Sequence, residues 1–150
     1  MAAYSSSVTP LPRLYSHLHS GQIRLLHLQH GSPGDNIRCT LKLARIPSMA
    51  STSYDALSYM WGPEVTERDI EINGQSYPIR ENLYQALLHL RLPSLTRVLW
   101  VDALCINQND LKERNKQVSQ MGRIYLSAGH VIVWLGLPDF STAEAFNFFE

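Results

Sequence analysis

Leu99-Trp100-Val101-Asp102-Ala103-Leu104-Cys105-Ile106-Asn107-Gln108 is the stretch from which the rest of the chain can be read. An unbroken apolar run stops at an acid, and a second apolar step stops at a pair of adjacent amides. A helical pattern opens near Asp110, and a second apolar run follows, Val131-Ile132-Val133-Trp134-Leu135-Gly136. Strand, loop, helix, strand is the order of a βαβ unit, in which polar groups at the carboxyl ends of the strands face a ligand crevice. The expectation is that strands finishing at Asp102 and Leu135 lie side by side and open their polar tips into one cleft.

Outward from this unit, Asp110 and Glu113 are spaced like a capping box, with Asp in place of Ser or Thr. Charged Lys112, Glu113, Arg114 and Lys116 crowd the first turns of that helix, and its expected buried stripe is Val118, Met121, Ile124 and Tyr125. Leu83, Ala86, Leu87 and Leu90 recur at helical spacing and predict a helix over 82–91, which Pro93 prevents from continuing. The segment Ile70-Glu71-Ile72-Asn73-Gly74-Gln75-Ser76-Tyr77-Pro78-Ile79 reads as a hairpin, because Asn73-Gly74 supplies the positive φ values of a primed turn. Pro78 cannot donate to a ladder and so belongs on an edge strand. Residues 23–28, 37–46 and 54–61 read as further strands, and 143–149 as a helix.

The predicted fold class is therefore α/β, a short and mostly parallel central sheet flanked by helices. Segments 54–61, 97–102 and 130–135 make its middle, and their continuous apolar runs suit parallel strands buried on both faces. Segments 23–28, 37–46 and the hairpin at 70–79 add antiparallel edge strands. Residues 1–20, with Ser-rich and Pro-containing sequence, read as an irregular arm before a domain over 21–150.

Composition narrows the class of function. The 150 residues suffice for one domain, and 45% are hydrophobic, enough for a core. Lys+Arg and Asp+Glu both number 13, so net charge is zero. The basic patch of a nucleic-acid binder is not visible, and no nucleic-acid partner is expected. Near-neutral charge favours self-association. Cys39 and Cys105 make no disulfide framework. The N-terminus lacks the basic start and apolar core of a signal peptide. No apolar run approaches the ~20 residues of a membrane span. A cytoplasmic protein with no membrane span is expected.

Each residue that could carry chemistry also has a plain structural role. Asp102 is either a turn and capping residue or a ligand-facing carboxylate at a strand's end. Asn107 and Gln108 donate and accept together, which suits a ribose or a nucleobase edge, or else they fasten the loop backbone. Glu113 is either a helix-start stabiliser or an acid–base group, and Arg114 shares a helix face with Gln117. Tyr59 and Trp61 are core and turn packing or the aromatic wall of a pocket, in which Gly62 lets the backbone approach a ligand. Cys105 sits among apolar residues, as a buried and inert thiol does. His27-x-x-His30 lacks the helix and partner carboxylate of a zinc protease, so no metal site is assigned. The common glycine-rich and phosphate-loop nucleotide motifs are absent.

Taken together, several blocks resemble the heterokaryon-incompatibility (HET) domain of filamentous fungi. Tyr54-Asp55-Ala56-Leu57-Ser58-Tyr59-Met60-Trp61-Gly62 resembles its opening motif, and Glu81-Asn82-Leu83 with Ala86-Leu87 and Leu90-Arg91 its middle block. The run 99–108, then Glu113-Arg114, Gln117-Val118, Met121, Ile124-Tyr125 and Ala128, and finally 131–136, follow its signature nearly in full. Ile23-Arg24-Leu25-Leu26 and Ile37-Arg38-Cys39-Thr40-Leu41 match the lead-in. Met60 and Leu104 depart from the usual residues. The signature spans 54–136, within a resemblance over roughly 22–137.

The resemblance implies a self-associating cytosolic module that triggers regulated cell death after non-self recognition, an innate-immune signalling role. Its partner would be an incompatibility protein or a sensor region, and the chain would be either a short stand-alone form or the front of a longer protein. A weaker similarity to Toll/interleukin-1 receptor (TIR) domains covers the order of the 54–59 strand, the Asp102 strand and loop, the 110–127 helix and the 131–135 strand. It implies a TIR-like fold and an alternative activity, hydrolysis of NAD as substrate with no cofactor required. The carboxylates for that role are Glu113, Asp102 and, by position alone, Glu144, with Tyr59, Trp61, Gly62, Asn107, Gln108 and Arg114 around the ligand.

Overall fold

A computed structural model describes residues 14–48, 53–62 and 66–138. Glu144 and the helix expected over 143–149 lie outside them. In chain order the elements are β1 (Gln22–Leu28), β2 (Arg38–Arg45), β3 (Asp55–Tyr59), β4 (Glu67–Ile72), β5 (Gln75–Arg80), α1 (Glu81–Leu90), β6 (Arg97–Val101), α2 (Asp102–Cys105), α3 (Leu111–Ser127) and β7 (Val131–Trp134).

The strands form one mixed sheet in the order β5-β4-β2-β1-β6-β3-β7. The expected parallel trio is present: β3 runs parallel to both β6 and β7. It occupies one side of the sheet rather than its middle. The centre is β1, antiparallel to both β2 and β6, and β2 pairs parallel with β4. Segments 23–28 and 37–46 are thus interior strands, not edges. In β1, Ile23, Arg24, Leu25, Leu26 and Leu28 are all buried. Burial on both faces gives a continuous apolar run to an interior antiparallel strand as readily as to a parallel one. The β6 and β7 strands are not neighbours either, because β3 lies between them.

The hairpin forms as its turn residues require. Asn73 and Gly74 adopt φ of 52° and 79° between β4 and β5, and Pro78 lies on the edge strand β5.

Helices cover the parallel side from both faces. Register places Trp100, Ala56, Val131 and Val133 on one face, and Val101, Leu57, Ile132, Tyr59 and Trp134 on the other. Tyr125 of α3 meets the Trp100 ring edge-on, centroids 5.7 Å apart, so α3 lies on the first face. His89 of α1 lies 5.0 Å from the Trp134 ring, which sets α1 on the second, where it buries Leu83, Ala86 and Leu87. Of the stripe expected for α3, Ile124 is buried and Met121 and Tyr125 are partly buried against the core, and one position, Val118, departs. Gln117, Ile124 and Ser127 are buried, while Val118 is exposed. The cause is a tertiary contact: Gln117 Nε2 donates to the Gln22 carbonyl, so a polar side chain takes the inward position where the helix crosses the start of β1.

Candidate functional site

The carboxyl ends of β3 and β6 bring together Tyr59, Trp61, Gly62, Asp102 and Gln108. Asp102 opens the short helix α2, and its Oδ1 accepts from the Ala103 amide at 2.7 Å. The Trp61 indole N–H is shared between the two carboxylate oxygens at 3.4 and 3.3 Å. Gln108 Nε2 donates to the Asp102 carbonyl at 3.0 Å and so closes the loop after α2. Arg80 stacks over the Trp61 ring at 5.1 Å and donates to the Gly62 carbonyl at 2.9 Å. Burial raises the Asp102 pKa above the usual carboxylate range, and the Ala103 and Trp61 hydrogen bonds partly oppose it. Burial, and then the nearby Asp102 charge, pushes the Tyr59 hydroxyl up. The cleft beside these groups is small, about 150 Å³, lined by Tyr59, Trp61, Tyr77, Leu83, Ala103 and Gln108 among others.

Asn82, in the first turn of α1, ties this end of the sheet together. Its Nδ2 donates to the Met60 carbonyl at 2.5 Å, and its Oδ1 accepts from the Trp134 indole at 3.0 Å. Gly62 and Gly136 flank it, with φ of +74° and +93°, and a Cβ on either would fall within 4 Å of Asn82 atoms. Three separated segments therefore meet at one side chain: the end of β3, the start of α1 and the end of β7. The tip of β7 is fastened to α1 here. The cleft expected between strands ending at Asp102 and Leu135 is instead one between β3, β5 and the loop after β6.

Asn107 and Glu113 lie in a second constellation. Arg24, a buried cation in β1, donates to Glu113 Oε1 at 2.7 Å, to the Ser16 carbonyl at 2.5 Å and to the Cys105 carbonyl at 3.1 Å. The other Glu113 oxygen accepts from the Asn107 amide at 2.5 Å. Asp110 Oδ1 accepts from the Glu113 amide at 3.2 Å, so half of the expected capping box forms. The Glu113 carboxylate is held by Arg24 and Asn107 instead of turning back on the cap. Arg24 also sits 4.8 Å over the Tyr15 ring, whose hydroxyl donates to the Leu104 carbonyl. Arg114 is exposed and lines neither constellation. Cys105 is fully buried and its thiol is pushed up to about 12 by burial, which keeps it protonated and unreactive.

Sequence reasoning did not single out Arg24, Arg80, Asn82 or Trp134 as site-forming residues. A single charge inside the apolar run Ile23-Arg24-Leu25-Leu26 was the available signal for the first. A buried charge requires a partner, and only an acid elsewhere in the chain could supply it.

The family model for heterokaryon incompatibility protein (HET) matches residues 54–149. The chain is similar to heterokaryon incompatibility protein 6, OR allele, of Neurospora crassa, 38% identical over 131 residues. That match covers 78% of this chain and 19% of the relative, so the chain spans about a fifth of the relative's length. No solved structure matches.

Proposed function

Since the chain belongs to the heterokaryon incompatibility (HET) family, we propose that it is a module that triggers regulated cell death on non-self recognition, acting by self-association. The observation that supports this is the open side of β7. Among the described residues this strand pairs only with β3. Val131 and Val133 present apolar side chains on one face at 49% and 62% exposure, and Leu135 and Leu137 continue the exposed apolar run. An unpaired strand edge with exposed apolar residues and no charge is a template for another strand. No helix among the described residues is long and apolar enough to cross a membrane. A partner or sensor region would act by bringing copies together.

The test is the state of the 150-residue chain by analytical ultracentrifugation, with cell viability on expression in a filamentous fungus. Val131→Lys with Val133→Lys should give a folded monomer that no longer kills. A double variant that stays associated and lethal would remove this reading.

Asp102 supports a second reading, hydrolysis of the nicotinamide–ribose bond of NAD. Its carboxylate lies behind Trp61 and Tyr59, which line the cleft, and once opened to the cleft it would stabilise an oxocarbenium-like transition state while water adds to the ribose carbon and nicotinamide leaves. With Glu113 engaged by Arg24, Asp102 is the carboxylate left of those expected among the described residues, and Glu67 is the acid that lines the cleft itself. The cleft of about 150 Å³ is below the usual size of a ligand pocket, so this reading requires that assembly enlarge it. Nicotinamide release by the assembled chain, lost in Asp102→Asn, supports the reading. Killing without release ends it.

A further inference from the structure

A second void lies away from Asp102, under the arm that precedes β1. It measures about 540 Å³, within the usual range of a small-molecule site. The arm residues from Tyr15 to Ser20 form one wall. The start of β1 and the first three turns of α3 form the others, with Arg24, Lys112, Lys116, Gln117 and Gln120 among the lining side chains.

Two independent features make it a built site. The first is unmatched polarity. Arg24 Nε, Gln117 Oε1 and Gln120 Oε1 are buried without a hydrogen-bond partner, three of the four such side-chain atoms among the described residues. Arg24 and Gln117 are each only 2% exposed. Buried polar groups in folded proteins are nearly always satisfied. All three belong to side chains that line this void, and a small turn of those side chains toward it would give the atoms a partner there. The second feature is charge. The acids on the walls are engaged: Glu113 by Arg24 and the Asn107 amide, Asp110 by the Glu113 amide. Lys112 and Lys116, one turn apart on α3, are both exposed and make no ion pair among the described residues. The positive end of the α3 dipole adds to their field.

A bare anion only accepts hydrogen bonds and leaves both glutamine oxygens unmatched. A hydroxyl donates and accepts, and can serve the glutamine oxygens and Arg24 Nε alike. We propose that this void binds a small hydroxyl-rich phosphate monoester, of the sugar-phosphate class. The phosphate lies at the Lys112 and Lys116 rim, and the hydroxyls point inward to Gln117, Gln120 and Arg24. The inference rests on neither reading given above for the β7 edge or Asp102.

The test is titration calorimetry with amide chemical-shift mapping on the 150-residue chain. The probes are glucose 6-phosphate, ribose 5-phosphate, glycerol 3-phosphate, inorganic phosphate and glucose. At least one sugar phosphate should bind tenfold or more tightly than inorganic phosphate, shift the amides of 15–24 and 112–120, and leave glucose without measurable binding. Lys112→Ala with Lys116→Ala, both on the surface, should weaken it at least tenfold without lowering the melting temperature. Gln120→Leu should narrow the preference for sugar phosphate over inorganic phosphate. Equal binding of inorganic phosphate and every monoester, no binding of any of them at millimolar concentration, or affinity untouched by the double lysine variant would each overturn the proposal.

Discussion

Glu113→Ala should unfold this domain far more readily than an ordinary surface change. The reason is the state in which it leaves Arg24. That guanidinium is 2% exposed and keeps two carbonyl acceptors, Ser16 at 2.5 Å and Cys105 at 3.1 Å, but loses its counter-charge. Breaking one side of a buried ion pair costs about 3–5 kcal/mol. The Asn107 amide also loses its acceptor, roughly another 1 kcal/mol. Better helix propensity returns only a few tenths of a kcal/mol, about what Ala gains over Glu in a first turn. The expected loss is about 4 kcal/mol, a large share of the ~5–15 kcal/mol that holds a domain together.

Urea unfolding followed by circular dichroism measures this directly. With a slope of about 1.5–2 kcal/mol per molar, the midpoint should fall by about 2 M. Glu113→Gln keeps an acceptor without the charge and should lose less. Arg24→Met combined with Glu113→Leu removes both charges and should be more stable than either single variant, with a coupling energy above about 2 kcal/mol. If Glu113→Ala moves the midpoint by less than about 0.5 M, or if the two single losses simply add, Arg24 is not the buried cation described and the anchoring role of Glu113 fails. The series also separates structure from chemistry. A Glu113→Gln chain of parental stability that no longer kills would return Glu113 to the catalytic candidates.

Three further outcomes follow from the other end of the sheet. Gly62→Ala should cost about 1–2 kcal/mol and several degrees of melting temperature, because φ of +74° disfavours a side chain although the space is open, with Asn82 Cβ 3.7 Å away. Gly62→Asn, which tolerates that conformation, should cost less. Asn82→Ala should cost about 1–3 kcal/mol for two hydrogen bonds, and the Trp134 indole proton resonance should move; an unmoved resonance would show that the Asn82 contact is not made. Asp102→Asn should be at least as stable as the parent at neutral pH. Burial raises the Asp102 pKa in the fold, so its favourable contribution is fully present below the unfolded carboxylate pKa and is lost as pH rises through the folded one. The advantage of the variant should therefore shrink as pH falls into the acid range, and an advantage that grows on acidification would contradict the sign.

What could be read in advance was local. The Asn73-Gly74 turn, the 3.6-residue spacing of α1, the Asp110 cap and the strand nature of 54–61, 97–102 and 130–135 all follow from neighbours in sequence, and all are present, the strands a little shorter than expected. What could not be read was which strands lie side by side. The continuous apolar run of β1 shows burial on both faces and carries no sign of direction, so a central antiparallel strand passed for an edge. The α3 stripe holds at Met121, Ile124 and Tyr125 and fails at Val118 for a related reason. Periodicity counts apolar residues, and the inward residue at 117 is a glutamine because Gln22 offers it a carbonyl 95 positions away. The candidate site divided along the same line. Tyr59, Trp61, Asp102 and Gln108 meet because they end adjacent strands, whereas Glu113 turned to a partner 89 residues away that no local pattern could name.

The family signature is in large part explained by architecture alone, and that limits where function can be sought. Gly62 and Gly136 are needed for their backbone angles, Asn82 for joining three segments, Trp61 and Trp134 for the indole donors that meet Asp102 and Asn82. Gln108 closes the loop after α2, and Glu113 neutralises Arg24. Residues with such duties unfold or loosen the domain when changed, so loss of function on their mutation says little about a reaction. Two features among the described residues have no such duty in the packing: the exposed apolar face of β7, and the polar void with Lys112 and Lys116 at its rim. Substitutions at exposed Val131, Val133, Lys112 and Lys116 disturb the packing least, so a changed phenotype there tests the proposed association and the proposed binding more cleanly than one in the signature.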